Sequence, residues 1–248
     1  MELELDTAKL NFEVHGDPKN HPLVLWHGAG CTLRMWDNVL EGLKKDFFTI
    51  SFDIRGSGKS INLDEDQSSY SFEVYANDLN QILKYLNIEK FHIWSMAWGT
   101  RAAIAYSSLY SSQVLTAVFS DASIGAADVD AQKSGLREAL KAQDEAGIRR
   151  HDLPKGWNEH INNESAKLCL KAAAKFDLGR AIEAIDFPFL VMTGDYDPNL
   201  ASSKEIVRIT KTGKLEILEG IGHGSVLQRP DLTLDKFLKW HELRENYA

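Results

Sequence analysis

The sequence predicts an α/β protein built on a mostly parallel sheet with helices on both faces. Three observations carry this expectation. Short apolar runs alternate with longer stretches of helical periodicity along most of the chain. Several of these runs are apolar at nearly every position rather than at every second one, as strands buried on both faces require. Residues able to do chemistry fall just after the runs, at the strand ends where open parallel sheets place their sites.

Taken in order, the opening is antiparallel in character. Residues 3–10 and 11–15 read as short alternating strands, closed by the turn residues Gly16, Asp17 and Pro18. Residues 22–26 form a continuous apolar strand that stops at His27-Gly28-Ala29-Gly30, and a helix is expected over 35–45. Strand 47–52 follows, then a helix over 72–86 with Val74, Leu79, Ile82 and Leu86 at helical spacing. Strand 91–94, an Ala-rich helix over 98–110 and strand 114–120 continue the rhythm. From 126 to 185 it breaks. Two charged, Ala-rich helical stretches (128–146 and 164–185) flank a polar turn, which reads as a small helical insertion over the sheet. Strand 189–193, a helix around 203–209, strand 214–218 and a terminal helix over 231–244 complete the alternation.

The chain has 248 residues, 44% of them hydrophobic, enough for one α/β domain with a sizeable core. Its 28 Lys+Arg against 36 Asp+Glu give a net charge of −8, and no dense basic run is present. That balance argues against nucleic acid or an anionic membrane as the main partner, and slightly against a highly anionic substrate. The two cysteines, Cys31 and Cys169, are too far apart for a zinc pattern or a disulfide framework. The acidic, alternating start, residues 1–6, is unlike a secretory leader, and no apolar run is long enough to span a bilayer. The expectation is a cytoplasmic protein with no metal and no cofactor.

Four segments carry chemistry. The Gly28-Ala29-Gly30 turn has the small residues that let backbone N–H groups approach a ligand, as an oxyanion-binding turn requires. Ser95-Met96-Ala97-Trp98-Gly99, between a strand and a helix, has the small-x-nucleophile-x-small form of a nucleophile elbow. Ser95 and Gly99 are the small flanks, which puts Ala97 at the nucleophile position. Taking Ser95 as the nucleophile would put Ile93 at a flank that the turn does not accept. Asp195 and Asp197 follow one later strand, and Gly222-His223-Gly224 follows the next. Nucleophile, Asp and His then stand in the chain order of an elbow hydrolase.

Over essentially its whole length the sequence resembles the α/β-hydrolase superfamily. The resemblance rests on residues 23–30, on Asp53-Ile54-Arg55-Gly56-Ser57-Gly58-Lys59-Ser60, and on residues 91–100, 190–198 and 220–223. It implies that His223 is the general base and Asp197 its orienting carboxylate, with Asp195 a turn residue. It implies that the N–H groups of Ala29 and Trp98 form the oxyanion hole. It makes 1–125 and 186–248 the core and 126–185 a short helical cap. Gly28, Gly30, Trp36 and Trp157 are the expected pocket residues, although Trp36 and Trp157 also suit plain packing.

The departure is Ala97, where the family has Ser, Cys or Asp. A methyl group cannot attack a carbonyl, so acyl transfer should be nearly absent. The expected function is hydrolysis of small carboxylic esters or lactones by Ser–His–Asp acyl transfer, silenced here by a Ser-to-Ala replacement. A C–C bond hydrolase and a natural non-catalytic ligand-binding relative are the alternatives, with chemistry by the His–Asp pair alone a minor one. Asp121, after strand 114–120, is the second candidate for the acid. The Gly-Lys-Ser run at 58–60 is not a phosphate loop, because Asp53 stands where that loop needs a glycine. Cys31 reads as a small buried residue.

Overall fold

The structure, a computed structural model, describes residues 1–64 and 69–245. The chain opens with β1 (Glu2–Leu5) and β2 (Ala8–His15), followed by β3 (His21–Trp26). A 3₁₀ turn over Leu33–Trp36 leads into α1 (Asp37–Leu43), then β4 (Phe47–Phe52), β5 (Ile61–Asn62) and α2 (Phe72–Tyr85). Next come β6 (Phe91–Met96), α3 (Trp98–Leu109) and β7 (Val114–Ser120). The stretch before the next strand holds α4 (Val129–Glu145), α5 (Asn163–Leu168), a 3₁₀ segment at Cys169–Lys175 and α6 (Leu178–Glu183). The chain then runs through β8 (Phe189–Gly194), α7 (Leu200–Ile209), β9 (Gly213–Leu218), α8 (Ser225–Gln228) and α9 (Pro230–Glu245).

The strands form one sheet in the order β1-β2-β4-β3-β6-β7-β8-β9, with β5 also pairing β2. From β4 to β9 all pairs are parallel, while β2 runs antiparallel to β1, β4 and β5. This is the expected α/β architecture. Every residue of β4 and β8 is buried, which is why these strands are mostly apolar on both faces and carry no charged residue. One apolar layer gathers Phe12, Trp26, Tyr75, Tyr106 and Ile182 on one side of the sheet. The other gathers Trp36, Trp94 and Phe237, with the Trp94 and Phe237 rings stacked 4.4 Å apart. Among the described residues no helix is long and apolar enough to cross a membrane.

Two expectations need correction. The first hairpin turns at Asp6 and Thr7, not between Leu10 and Asn11. Ala8, Leu10 and Phe12 bury one face of β2 without interruption, and polar Asn11 sits on the other face, its Nδ2 donating to Asp53 Oδ2 at 2.8 Å. The helix expected over 164–185 is broken into three pieces. Phe176 is extended, and Asp177 then caps a new helix by accepting from Arg180 N at 3.0 Å. That new helix, α6, puts Leu178, Ala181 and Ile182 into the same apolar layer as α3. The inserted segment therefore returns to the core layer before residue 185. The two- and four-residue elements β5 and α8 are too short for any periodicity to reveal.

Candidate active site

The C-terminal ends of β3, β6, β7, β8 and β9 lie side by side, so the loops that follow them converge. Between β6 and α3, Ala97 has φ 54° and ψ −115°, a conformation costly for any residue with a Cβ. Its neighbours impose it. Ala97 N donates to Ser120 O at 2.8 Å, and Thr100 N donates to Ala97 O at 3.0 Å. A Cβ on Gly99 would stand 2.2 Å from His27 O, so the elbow presses directly against the end of β3. Ser95 is fully buried with its Oγ 3.1 Å from Thr100 Oγ1, inside the fold. Ala97, not Ser95, occupies the apex.

His223 follows β9 and Asp197 follows β8. His223 Nδ1 donates to Asp197 Oδ2 at 3.0 Å, which leaves Nε2 as the ring's other nitrogen for chemistry. Asp197 Oδ1 accepts from Asn199 N at 2.9 Å, so both carboxylate oxygens are held. Asp195 Oδ1 instead accepts from Ile221 N at 3.2 Å, tying the two loops together as a turn residue does.

Asp121, at the end of β7, joins them. Its Oδ2 accepts from Gly224 N at 3.0 Å and Ser225 N at 2.8 Å, while Oδ1 has no partner among the described residues. Acceptor and donor atoms of Asp121, Asp197 and His223 all lie within 4.8 Å of one another. Burial, and then the neighbouring Asp197 charge, push the Asp121 carboxyl up to about 7. Burial disfavours a charged His223, but the hydrogen bond to Asp197 and the charges of Asp121 and Asp197 outweigh it and raise its proton affinity.

The turn after β3 completes the arrangement. Buried His27 accepts from Ile54 N at Nε2 (3.2 Å) and donates from Nδ1 to Gly28 O (2.9 Å). Burial disfavours the charged imidazole and lowers its pKa, and its two hydrogen bonds shape the turn. A Cβ on Gly28 would meet Met96 Cε at 2.9 Å, so the turn lies close against the elbow. Ala29 and Trp98 border the same cavity as Ala97 and His223, and neither backbone N–H has an acceptor among the described residues. The cavity measures about 720 Å³ and is walled chiefly by apolar side chains, among them Ile124, Val129, Phe176 and Leu227.

Residues 21–175 match the sequence model of a family described as alpha/beta hydrolase fold. The chain belongs to the alpha/beta hydrolase fold family. A proline iminopeptidase of Lactobacillus helveticus is 27% identical over 160 residues, covering 58% of this chain and 53% of that protein, so the chain matches about half of that relative's length. A 3-oxoadipate enol-lactonase of Acinetobacter baylyi is 19% identical across 92% of this chain and 91% of that one. Among solved structures, the enol-lactonase of Burkholderia xenovorans superposes with a TM-score of 0.81 at 17% identity, covering 98% of this chain and all of that one. A thermophilic esterase of Thermogutta terrifontis, 19% identical, superposes with a TM-score of 0.78 over the full length of both chains.

In this alpha/beta hydrolase the structure brings Ala97, Asp197, His223, Ala29 and Trp98 to one place, with Trp157 on the cavity wall. It does not bring Trp36 there. The 3₁₀ turn at Leu33–Trp36 points that side chain into the core, its ring 5.1 Å from that of Trp94. Gly28 and Gly30 shape the turn but do not border the cavity. Cys31 does border it, yet burial pushes its thiol up to about 12, which disfavours the thiolate a nucleophile needs. In the Gly-Lys-Ser stretch the space a phosphate would need is filled by Asp53, which accepts from Leu33 N (2.8 Å) and Lys59 N (2.9 Å). A Cβ on Gly58 would collide with that carboxylate at 2.2 Å. Sequence reading overlooked Arg101, which stands on the cavity wall four residues beyond Ala97. Its i+4 spacing from the elbow was the available signal.

Proposed function

We propose that this chain carries the binding and acid–base apparatus of a hydrolase of small carboxylic esters or lactones, with the covalent step silenced by Ala97. The supporting observation is the Asp197–His223 pair at 3.0 Å opening on the same cavity as the strained Ala97 apex and the unpaired N–H groups of Ala29 and Trp98. The mainly apolar wall suits a substrate with an apolar part. Relatives named as enol-lactonases and esterases support the substrate class.

With serine at position 97, His223 Nε2 would take the hydroxyl proton as the oxygen attacks the carbonyl carbon. Asp197 would hold the ring in the required tautomer and stabilise the imidazolium. The Ala29 and Trp98 N–H groups would bind the oxyanion, and His223 would return the proton to the leaving group. Water, activated by the same histidine, would then release the acid. Ala97 offers a methyl group at the first step, so a ligand is held and not turned over. That chemistry is the same whether the alanine was introduced or inherited.

The test is Ala97→Ser assayed on p-nitrophenyl acetate, p-nitrophenyl butyrate and simple lactones. Hydrolysis should rise by on the order of 10³-fold or more over the present chain. Adding His223→Ala should return it to the starting level. A folded Ala97→Ser protein no faster than the present chain would sink the hydrolase reading and leave a ligand-binding protein in its place.

A further inference from the structure

The cavity has a charge pattern that the ester reading does not use. Arg101 is the one Lys or Arg on its wall among the described residues, and no Asp or Glu stands there. Among the described residues no carboxylate lies within ion-pair distance of its guanidinium. One of its five N–H donors reaches Gly125 O at 2.5 Å, and the other four have no acceptor among the described residues. Burial lowers its proton affinity, the signature of a cation part-desolvated without compensation. This in a chain of net charge −8, where an unneutralised cation inside a cavity is conspicuous.

We propose that Arg101 anchors a ligand carboxylate, so that the cavity takes a small acyl compound with an ester or lactone carbonyl at one end and a free carboxylate at the other. The carbonyl end rests on the reading given above; the anchor goes beyond it. Arg101 stands in the first turn of α3, just after the Ala97 apex, and both border the one cavity, so a short ligand can meet both. The planar guanidinium matches a carboxylate in bidentate geometry, and the apolar wall strengthens the pairing by keeping water out. Net negative charge of the whole protein does not oppose this at short range. Exposed charges are screened over about 8 Å at physiological salt, whereas the wall around Arg101 carries no acid to compete.

The experiment uses the present Ala97 chain, which holds ligand without consuming it. Calorimetric titration with monomethyl adipate and with dimethyl adipate isolates the carboxylate. The half-ester should bind at least about tenfold tighter. Arg101→Gln should abolish that preference, and Arg101→Lys should keep part of it, because it preserves charge but not the planar fork. Equal binding of the two esters, binding of neither at millimolar concentration, or a preference that survives Arg101→Gln would overturn the proposal. The outcome is separable from that of the hydrolase reading. An active Ala97→Ser protein indifferent to the carboxylate overturns the anchor alone. A half-ester preference alongside an inert Ala97→Ser protein leaves the anchor standing and overturns the hydrolase.

Discussion

Asp121 is positioned by backbone, and its surroundings push its carboxyl toward the neutral form. Its φ of 54° is one of three positive values at non-glycine residues among the described residues, and it lies fully buried beside the hydrogen-bonded His223–Asp197 pair. One oxygen fastens Gly224 and Ser225, the residues directly after His223. Its charge, with that of Asp197, raises the proton affinity of His223. On the proposed hydrolase reading His223 is the general base and must be neutral to accept a proton, so activity of Ala97→Ser should rise with pH through that elevated pKa. The acid limb of kcat/KM should therefore lie above the ordinary histidine value of about 6.5. Adding Asp121→Asn removes a negative charge yet keeps an oxygen for the Gly224 and Ser225 N–H groups. The acid limb should then move to lower pH. The same change bears on stability. A carboxyl raised to about 7 in the folded state from about 4 unfolded makes the native protein lose stability as pH rises through that window, and Asp121→Asn should flatten the loss. A pH–rate profile that stays in place or moves upward would contradict this account.

At the scale of elements, α4 does more than cover the site. A Cβ on Gly135 would stand 2.0 Å from Tyr196 O, and one on Gly222 would stand 2.7 Å from Leu136 Cα. Gln143 Nε2 donates to Gly220 O at 2.8 Å. The inserted helix thus touches the loop that carries Asp197 and the loop that carries His223, and sets their spacing. Gly135→Ala separates this contact from helix propensity, because the two predict opposite signs. Propensity alone would stabilise by about 1 kcal/mol. The collision is with backbone, which cannot rotate away, so a net destabilisation of about 1–3 kcal/mol is expected. If the proposed hydrolase reading holds, the rate of Ala97→Ser should fall as well, since displacing the Asp197 loop misplaces His223. Urea midpoints and turnover measure the two effects, and a more stable Gly135→Ala protein would show that α4 merely lies over these loops.

At the scale of the whole molecule, what could be read in advance was what single segments determine. β4 and β7 are legible because charged or strongly polar residues, Asp46 and Asp53, Gln113 and Asp121, bound runs that hold only apolar residues, Thr and Ser. The elbow register is legible because a tight turn dictates small flanks at Ser95 and Gly99. Strand order and the burial of Trp36 depend on which distant segments meet, and no local pattern encodes that. The loop after β4 shows the same limit. Arg55 was visible only as part of a decoy motif, yet it ties together the antiparallel edge of the fold. Its Nε and Nη2 donate to Asp78 Oδ2 and Oδ1 at 2.9 and 2.7 Å, and its Nη1 reaches Thr7 O at 3.1 Å and Asn62 Oδ1 at 3.3 Å. Turn, loop, β5 and α2 meet at one side chain. Asp78→Ala would leave a buried guanidinium without its carboxylate, at a cost of about 3–5 kcal/mol. Domains typically have about 5–15 kcal/mol in total, so this is a large share. At roughly 2–4 °C per kcal/mol, the melting temperature should fall by roughly 6–20 °C. Replacing both partners, Arg55→Met with Asp78→Leu, should cost far less. Both desolvation penalties then vanish together, and exposed Thr7 and half-buried Asn62 can turn to water. A double variant as unstable as Asp78→Ala would instead mean that the hydrogen bonds to Thr7 and Asn62, not the uncompensated charge, hold this edge of the sheet.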